Sequence, residues 1–196
     1  MKKLLIANRG EVAIRIARSA AELGLDTVAV HATDDSQSLH VRRADSAVDL
    51  HGNGAAAYLD MEAIVAAALA EGGDALHPGY GFLSENARFA AMCAEASITF
   101  VGPRPETLAL FGDKAAARRH AEAQGVPVLA GISRAVSLED VRDFTRDGVR
   151  VRPVMLKALA GGGGRGMRAV ETLDELEAAY ERCRSEALKA FGAGDL

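Results

Sequence analysis

The run Gly161-Gly162-Gly163-Gly164-Arg165-Gly166, preceded by Lys157, is the part of the sequence whose residue types could do chemistry. Consecutive glycines carry a backbone-entropy cost that a plain turn does not require, so something must approach that backbone closely. Amide N–H groups with no Cβ atoms beside them can converge on phosphate oxygens, and a nearby lysine and arginine add positive charge. Two familiar phosphate motifs fail here. Gly161-x-Gly163-x-x-Gly166 matches the dinucleotide fingerprint in letters, but that loop must open a helix, and Met167-Arg168-Ala169-Val170 reads as a strand. Gly161-x-x-x-x-Gly166 begins like a Walker loop, yet Met167 stands where the lysine belongs. What remains is strand, glycine flap, strand, with Lys157 on the incoming strand, suited to folding over a triphosphate from one side. A flexible hairpin tip with incidental basic residues is the competing reading of the glycines alone.

The elements that must position this loop follow from hydrophobic rhythm. Short apolar runs at residues 4–7, 27–31, 47–50, 75–77 and 99–101 alternate with amphipathic stretches, which predicts an α/β fold with a parallel sheet covered by helices. A first helix over 11–23 places Val12, Ile16, Ala20 and Leu23 on one face and Glu11, Arg15, Arg18 and Glu22 largely on the other, with Gly24 as its stop. Further helices are expected over 61–70 and over 85–94, the latter capped by Ser84. Gly102-Pro103 closes this unit, and residues 106–124 read as two linking helices broken near Gly112-Asp113. A smaller unit then has a helix over 138–146 after Ser137, strands over 154–157 and 167–170 flanking the glycine loop, and a long helix over 173–191. Two strands do not make a stable sheet unaided, so this second unit reads as incomplete. The domain expectation is therefore 1–103, linker helices 104–130, and a flap-bearing unit 131–196.

Bulk properties narrow the partners. The chain of 196 residues carries a net charge of -4, so no general basic field exists to hold nucleic acid or an anionic membrane surface. No segment approaches the ~20 apolar residues of a membrane span, and the expected location is cytoplasmic. Cys93 and Cys183 are far apart and form no Cys-x-x-Cys pair, which suggests neither a disulfide framework nor a zinc site.

Pro153-Val154-Met155-Leu156-Lys157-Ala158 followed by Gly161 to Arg168 resembles the flap of the ATP-grasp superfamily and, within it, the biotin carboxylases. Four more segments point the same way in order and spacing: Ile6-Ala7-Asn8-Arg9-Gly10-Glu11, His77-Pro78-Gly79-Tyr80-Gly81-Phe82-Leu83-Ser84-Glu85-Asn86, Phe100-Val101-Gly102-Pro103 and Gly112-Asp113-Lys114. Two of them sit where a strand hands over to a helix, the edge at which open parallel sheets bind ligands. Read from the residues alone, Asn8, Gly10, Pro78 and Gly79 serve capping and tight turning, and Lys114 is a solvated helix charge.

The resemblance implies more. The fold would be a Rossmann-like, pre-ATP-grasp sheet domain, then linker helices, then part of an ATP-grasp domain with a glycine-rich flap. Lys114, Lys157, Gly161, Gly162, Gly163, Gly164, Arg165, Gly166 and Met167 would bind ATP. Tyr80, Glu85 and Asn86 would face the active site near biotin. Arg15, Arg18 and Glu22, which otherwise form i,i+4 pairs on a solvated face with Glu11, would contribute to a homodimer interface. The implied activity of the parent enzyme is ATP- and magnesium-dependent activation of bicarbonate to carboxyphosphate, then carboxylation of biotin on a carrier protein. Family enzymes place the magnesium-binding glutamates and the catalytic acid–base groups beyond the flap helix. Glutamates 171, 175, 177, 181 and 186 do not reproduce that paired-carboxylate site, so a metal site and catalytic groups are not expected within the chain, nor carboxylase activity from it alone. A nucleotide-binding or regulatory module without chemistry, and a piece of another ATP-grasp ligase such as a carbamoyl-phosphate synthetase, are the alternatives.

Overall fold

The computed structural model describes residues 1–147, 150–151, 153–160 and 166–196. The chain divides into two compact units, Met1–Ala109 and Leu110–Leu196, each described by itself.

The first unit is built on a five-stranded sheet in the order β3-β2-β1-β4-β5. Its strands are β1 (Lys3–Ile6), β2 (Asp26–His31), β3 (Ser46–Asp49), β4 (Ala75–His77) and β5 (Thr99–Phe100), all paired in parallel. Each lies within one residue of its expected position. Leu4, Leu5 and Ile6 are all buried, because a central parallel strand is covered on both faces and needs a continuous apolar run. The chain runs outward from β1 to β3, then crosses back to β4 beside β1, so the strand order reverses between β1 and β4.

On one face, Leu5, Val28, Val30, Leu76 and Phe89 pack with Tyr58 and Ile64 into the main core. This layer draws on the helices α2 (Gly54–Ala57), α3 (Met61–Ala70) and α4 (Ala87–Glu95). On the other face, α1 (Gly10–Glu22) packs against Leu4, Ile6 and Ala75. It does so through Ala13, Ala17 and Ala20 with Ile16 partly buried beside them, so Ala20 and Ile16 of the expected face are on the sheet side, Ala13 and Ala17 join them, and Leu23 does not. Alanines at these positions let the helix axis approach the sheet, which displaces Val12 to its flank and leaves Leu23 75% exposed. Val12 and Ile16 line a groove of about 660 Å³ with Leu4, Leu25 and Val101. A second correction concerns α4. Its N-cap is Asn86, whose side chain accepts from the Phe89 amide at 2.9 Å, and Ser84 lies in the preceding turn, its amide bonded to the Gly81 carbonyl. Asparagine caps as well as serine, and that turn delays the helix by two residues.

The carboxylate of Asp35 ties the loops beside β2 together. Arg9 donates to it through Nε and Nη2 at 2.6 and 2.7 Å, and the Tyr58 and Ser38 hydroxyls each donate at 2.9 Å. The Arg9 guanidinium holds the Asp35 carboxyl well below its ordinary value, while burial pushes the Tyr58 phenol up to about 12.

α5 (Pro105–Gly112) crosses the division between the units, and α6 (Lys114–Ala123) follows after a break at Asp113. The second unit continues with α7 (Leu138–Thr145), which starts in a capping box between Ser137 and Asp140. A short antiparallel pair, β6 (Arg146–Asp147) with β7 (Arg150–Val151), was not expected from the sequence, because two residues carry no readable period. The antiparallel hairpin β8 (Val154–Lys157) and β9 (Met167–Val170) then leads into α8 (Leu173–Phe191), which ends at Gly192 with φ of 75°. Leu156 and Val170 pack on Leu176, Cys183 and Ala187 of α8, so the two-stranded ladder rests on a helix. Among the described residues no helix is long and apolar enough to cross a membrane.

Because the bonds to Asp35 require its ionised form, their stabilisation is complete above the ordinary carboxylate value of 3.8 and is lost as pH falls toward its depressed folded-state value. Asp35→Asn should cost the first unit about 1–3 kcal/mol at pH 7, with the gap from the unsubstituted protein closing in acid. Urea unfolding followed by hydrogen exchange at the β2 amides at both pH values checks this.

Candidate functional site

The second unit brings the glycine loop's surroundings together through strand alternation. In the β8–β9 register, Met155 faces Ala169 and Lys157 faces Met167. Leu156 and Val170 point into the core on α8, so Met155, Lys157, Met167 and Ala169 share the outer face. Met155 and Met167 are 50% and 40% exposed, which leaves an apolar platform ending in a cation at the loop. Such a face suits a ligand that is flat and apolar at one end and anionic at the other.

Past the strands, the base of the loop is clamped. The Ala158 amide donates to the Gly166 carbonyl at 2.8 Å, and the buried Cys183 thiol donates to the same oxygen at 3.1 Å. Burial pushes that thiol's pKa up, which keeps it a protonated donor. Gly166 has φ of +67°, and a Cβ on it would lie 2.8 Å from the Ala158 Cβ, so the closing post must be glycine. Gly161, Gly162, Gly163, Gly164 and Arg165 lie outside the described residues.

Lys114 is the first residue of α6. A cation there opposes the helix dipole, so the helix gains nothing from it. Asp113 supplies the cap, accepting from the Ala115 and Ala116 amides at 2.8 and 3.0 Å, and the Lys114 ammonium donates to the Leu159 carbonyl at 3.1 Å. Lys114 is thereby held at the chain segment that leaves Lys157 for the glycines. Arg168 forms an ion pair with Glu186 of α8, so its charge is matched within the fold.

In the first unit the carboxyl ends of β1 and β4 meet at the reversal of strand order. Asn8 is 2% exposed, and its amide nitrogen donates to the carbonyls of Pro78 and Tyr80 at 2.7 and 2.9 Å. Its side-chain oxygen accepts from the Arg9 amide at 2.8 Å. Asn8 is thus a cross-link between two turns; the N-cap of α1 is Arg9, with no side-chain cap bond. Tyr80 is 68% exposed and donates its hydroxyl to Glu11 at 2.6 Å, which lowers the carboxyl pKa and raises that of the phenol. His77 accepts from the Gly79 amide at 2.9 Å, and its half-buried ring is held toward the neutral form by desolvation.

Residues 1–108 match the family described as "Biotin carboxylase, N-terminal domain". The chain belongs to the biotin carboxylase family. Residues 113–196 match a second description, "Carbamoyl-phosphate synthase L chain, ATP binding domain". Relatives include the pyruvate carboxylase of Bacillus subtilis, 50% identical over 98% of this chain and 17% of that protein. The biotin carboxylase of Nostoc sp. is 47% identical over 97% of this chain and 42% of that protein. Among solved structures, the biotin carboxylase domain dimer of Hydrogenobacter thermophilus 2-oxoglutarate carboxylase, in complex with MgADP, ADP and bicarbonate, superposes with a TM-score of 0.93. It is 44% identical, over 99% of this chain and 43% of that one. The chain therefore spans less than half the length of these relatives. The α/β fold and its parallel sheet are those expected for the family.

The residues singled out from the family's motifs fall into three places. Lys114, Lys157, Gly166 and Met167 gather around the β8–β9 hairpin. Tyr80 and Glu85 are exposed in the turns after β4, while Asn86 is committed to capping α4. Arg15, Arg18 and Glu22 are exposed along α1. Among the described residues, Glu11 does not pair with Arg15, nor Arg18 with Glu22, and the Tyr80 hydroxyl takes the Glu11 carboxylate instead. Sequence reading missed Met155, although period-two alternation from Lys157 would have found it. It also missed the bridging role of Asn8, for which no local signal exists. Among the described residues no cluster of three or more His, Cys, Asp or Glu side chains could hold a metal ion.

Gly166→Ala should destabilise the second unit by about 1–3 kcal/mol through backbone strain and the Ala158 clash, and should speed hydrogen exchange at the Ala158 amide. Gly192→Ala shares the left-handed φ but meets open space, so its cost should be smaller, about 1 kcal/mol. Thermal unfolding and amide exchange of the two variants make the comparison.

Proposed function

We propose that the chain supplies the sheet domain and the ATP-gripping hairpin of an enzyme that uses ATP and bicarbonate to carboxylate biotin on a carrier protein. The observation that carries this reading is that Lys114 bonds the Leu159 carbonyl, two residues after Lys157 on the segment that enters the glycine run, while Lys157 shares the outer hairpin face with the exposed Met155 and Met167. In it, Met167 and its neighbour Met155 receive the flat part of the nucleotide. Lys114, Lys157, Gly161, Gly162, Gly163, Gly164, Arg165 and Gly166 receive its phosphates.

The hairpin fits such a ligand physically. Two ammonium groups and unhindered amides placed where phosphoryl charge builds up lower a barrier without any covalent step. The protein's part is to position charged reactants; both cysteines are buried, desolvation pushes Cys93 up to about 11, and burial likewise raises the Cys183 thiol at the base of the loop. Magnesium, when bound with the nucleotide, would supply further positive charge against the phosphoryl oxygens, and no carboxylate cluster among the described residues would hold it. Tyr80, Glu85 and Asn86 would face biotin at the carboxyl edge of the sheet, the side on which open sheets take ligands. Arg15, Arg18 and Glu22 offer a charged helix face for a homodimer, in line with the dimer of the Hydrogenobacter relative. Domain bounds of 1–103, 104–130 and 131–196 go with the same reading.

MgATP should bind the 196-residue chain weakly, because ordering the glycine loop costs entropy and the grip is mostly on phosphates. Lys157→Ala and Lys114→Ala should each weaken it by about tenfold, the scale of one charge-assisted hydrogen bond. Calorimetry tests both, and binding that depends on adenine but not on either lysine would count against the reading. Bicarbonate- and biotin-dependent ATP turnover by this chain should not exceed that of the Lys157→Ala control.

A further inference from the structure

A sheet whose strand order reverses normally leaves a crevice at that point, outside the carboxyl ends of the two diverging strands, and a ligand enters it. In the first unit that crevice is filled by protein. The Ala7 amide continues the ladder by donating to the His77 carbonyl at 2.9 Å, and Asn8 then closes the gap with its bonds to Pro78 and Tyr80. Gly79 presses into the same space with φ of +66°; a Cβ on it would lie 2.6 Å from both Asn8 Nδ2 and Val12 Cγ1. Turn 78–80 is therefore fixed against the start of α1, and a ligand at this edge must rest on top of it rather than between the strands.

What stands on top is Tyr80. An aromatic ring 68% exposed gains little from burial and would ordinarily sample several rotamers. This one is held at both ends. Its backbone carbonyl accepts from Asn8 at 2.9 Å, and its hydroxyl reaches Glu11 at 2.6 Å. Glu11 is one turn from Arg15 on the same helix, its usual kind of partner, yet its carboxylate is bonded to the phenol. The two anchors hold the side chain at its base and at its tip while the residue stays mostly exposed.

We propose that Asn8 and Glu11 are positioning residues for Tyr80, holding its side chain preorganised at the edge of the sheet where the proposed function places biotin. The inference rests on the proposed function, in which this edge faces biotin. Fixing the ring beforehand removes the ordering cost from the binding step, so the gain belongs to biotin alone and not to ATP.

The test uses free biotin and the complete enzyme of which the proposed function makes this chain a part. Glu11→Ala and Tyr80→Phe each break the same tie and should each raise the KM for biotin about fivefold, the net worth of one hydrogen bond, with the KM for ATP unchanged. The double variant should be no worse than either single one, and Glu11→Gln, which keeps an acceptor oxygen, should recover most of the loss. Additive effects, a parallel rise in the KM for ATP, or no effect of Glu11→Ala would overturn the positioning role. Tyr80→Ala separates the two ideas: if removing the whole ring leaves the KM for biotin unchanged, the biotin-facing reading itself fails. A second readout needs only the 196-residue chain. By ring NMR, the Tyr80 titration should lie above the ordinary tyrosine value of 10.0 and move back toward it in Glu11→Ala, while that of Tyr58 stays put. A Tyr80 titration indifferent to Glu11 would also sink the proposal.

Discussion

The side-chain amide of Asn8 is the contact on which the carboxyl edge of the first unit's sheet depends. A parallel sheet that reverses its strand order must leave two neighbouring turns that the backbone ladder does not join. In this chain one buried asparagine joins them, spending both of its donors on carbonyls of the opposite turn. Everything placed at that edge inherits its position from this bridge: the left-handed Gly79, the exposed Tyr80 and the approach of the turn to α1. An amide is well suited to the task, because a carboxylate there would oppose two carbonyl oxygens and an apolar group would leave them unpaired.

The second unit solves a related problem with smaller means. A glycine-rich segment has no side chains with which to define its own ends, so its neighbours must define them. Ala158 and Cys183 do this at the Gly166 carbonyl, and the absence of a Cβ at Gly166 lets the strand and helix close around it. Lys114 reaches the same region from a different helix through the Leu159 carbonyl. The result is a frame of hydrogen bonds at the closing end of the glycine run, set by residues on two helices and a strand.

Chemistry and fold were legible in the sequence to different depths. The strands of the sheet could be read because each is a short apolar run bounded by turn residues, and burial on both faces requires such runs. The break between α5 and α6 was legible from Gly112-Asp113, since Asp113 is a cap by residue type. The face of α1 is legible only in part: Ile16 and Ala20 lie on it as expected, but hydropathy overlooks Ala13 and Ala17, which close packing on a sheet favours. The cap of α4 was misread for a similar reason: Ser84 and Asn86 are equivalent by propensity, and the turn after Gly81 decided between them.

By itself, the sequence determined the order of elements, the family and the presence of a lysine-flanked glycine loop, because these rest on local patterns of residue type and spacing. Tertiary structure alone decided which oxygen Lys114 bonds and that Glu11 serves Tyr80 instead of Arg15. Those outcomes join residues 45 and 69 positions apart, and no local propensity encodes a contact at that distance. Such contacts exist only once burial of Leu5, Leu76 and Leu156 has drawn the distant segments into one core in each unit.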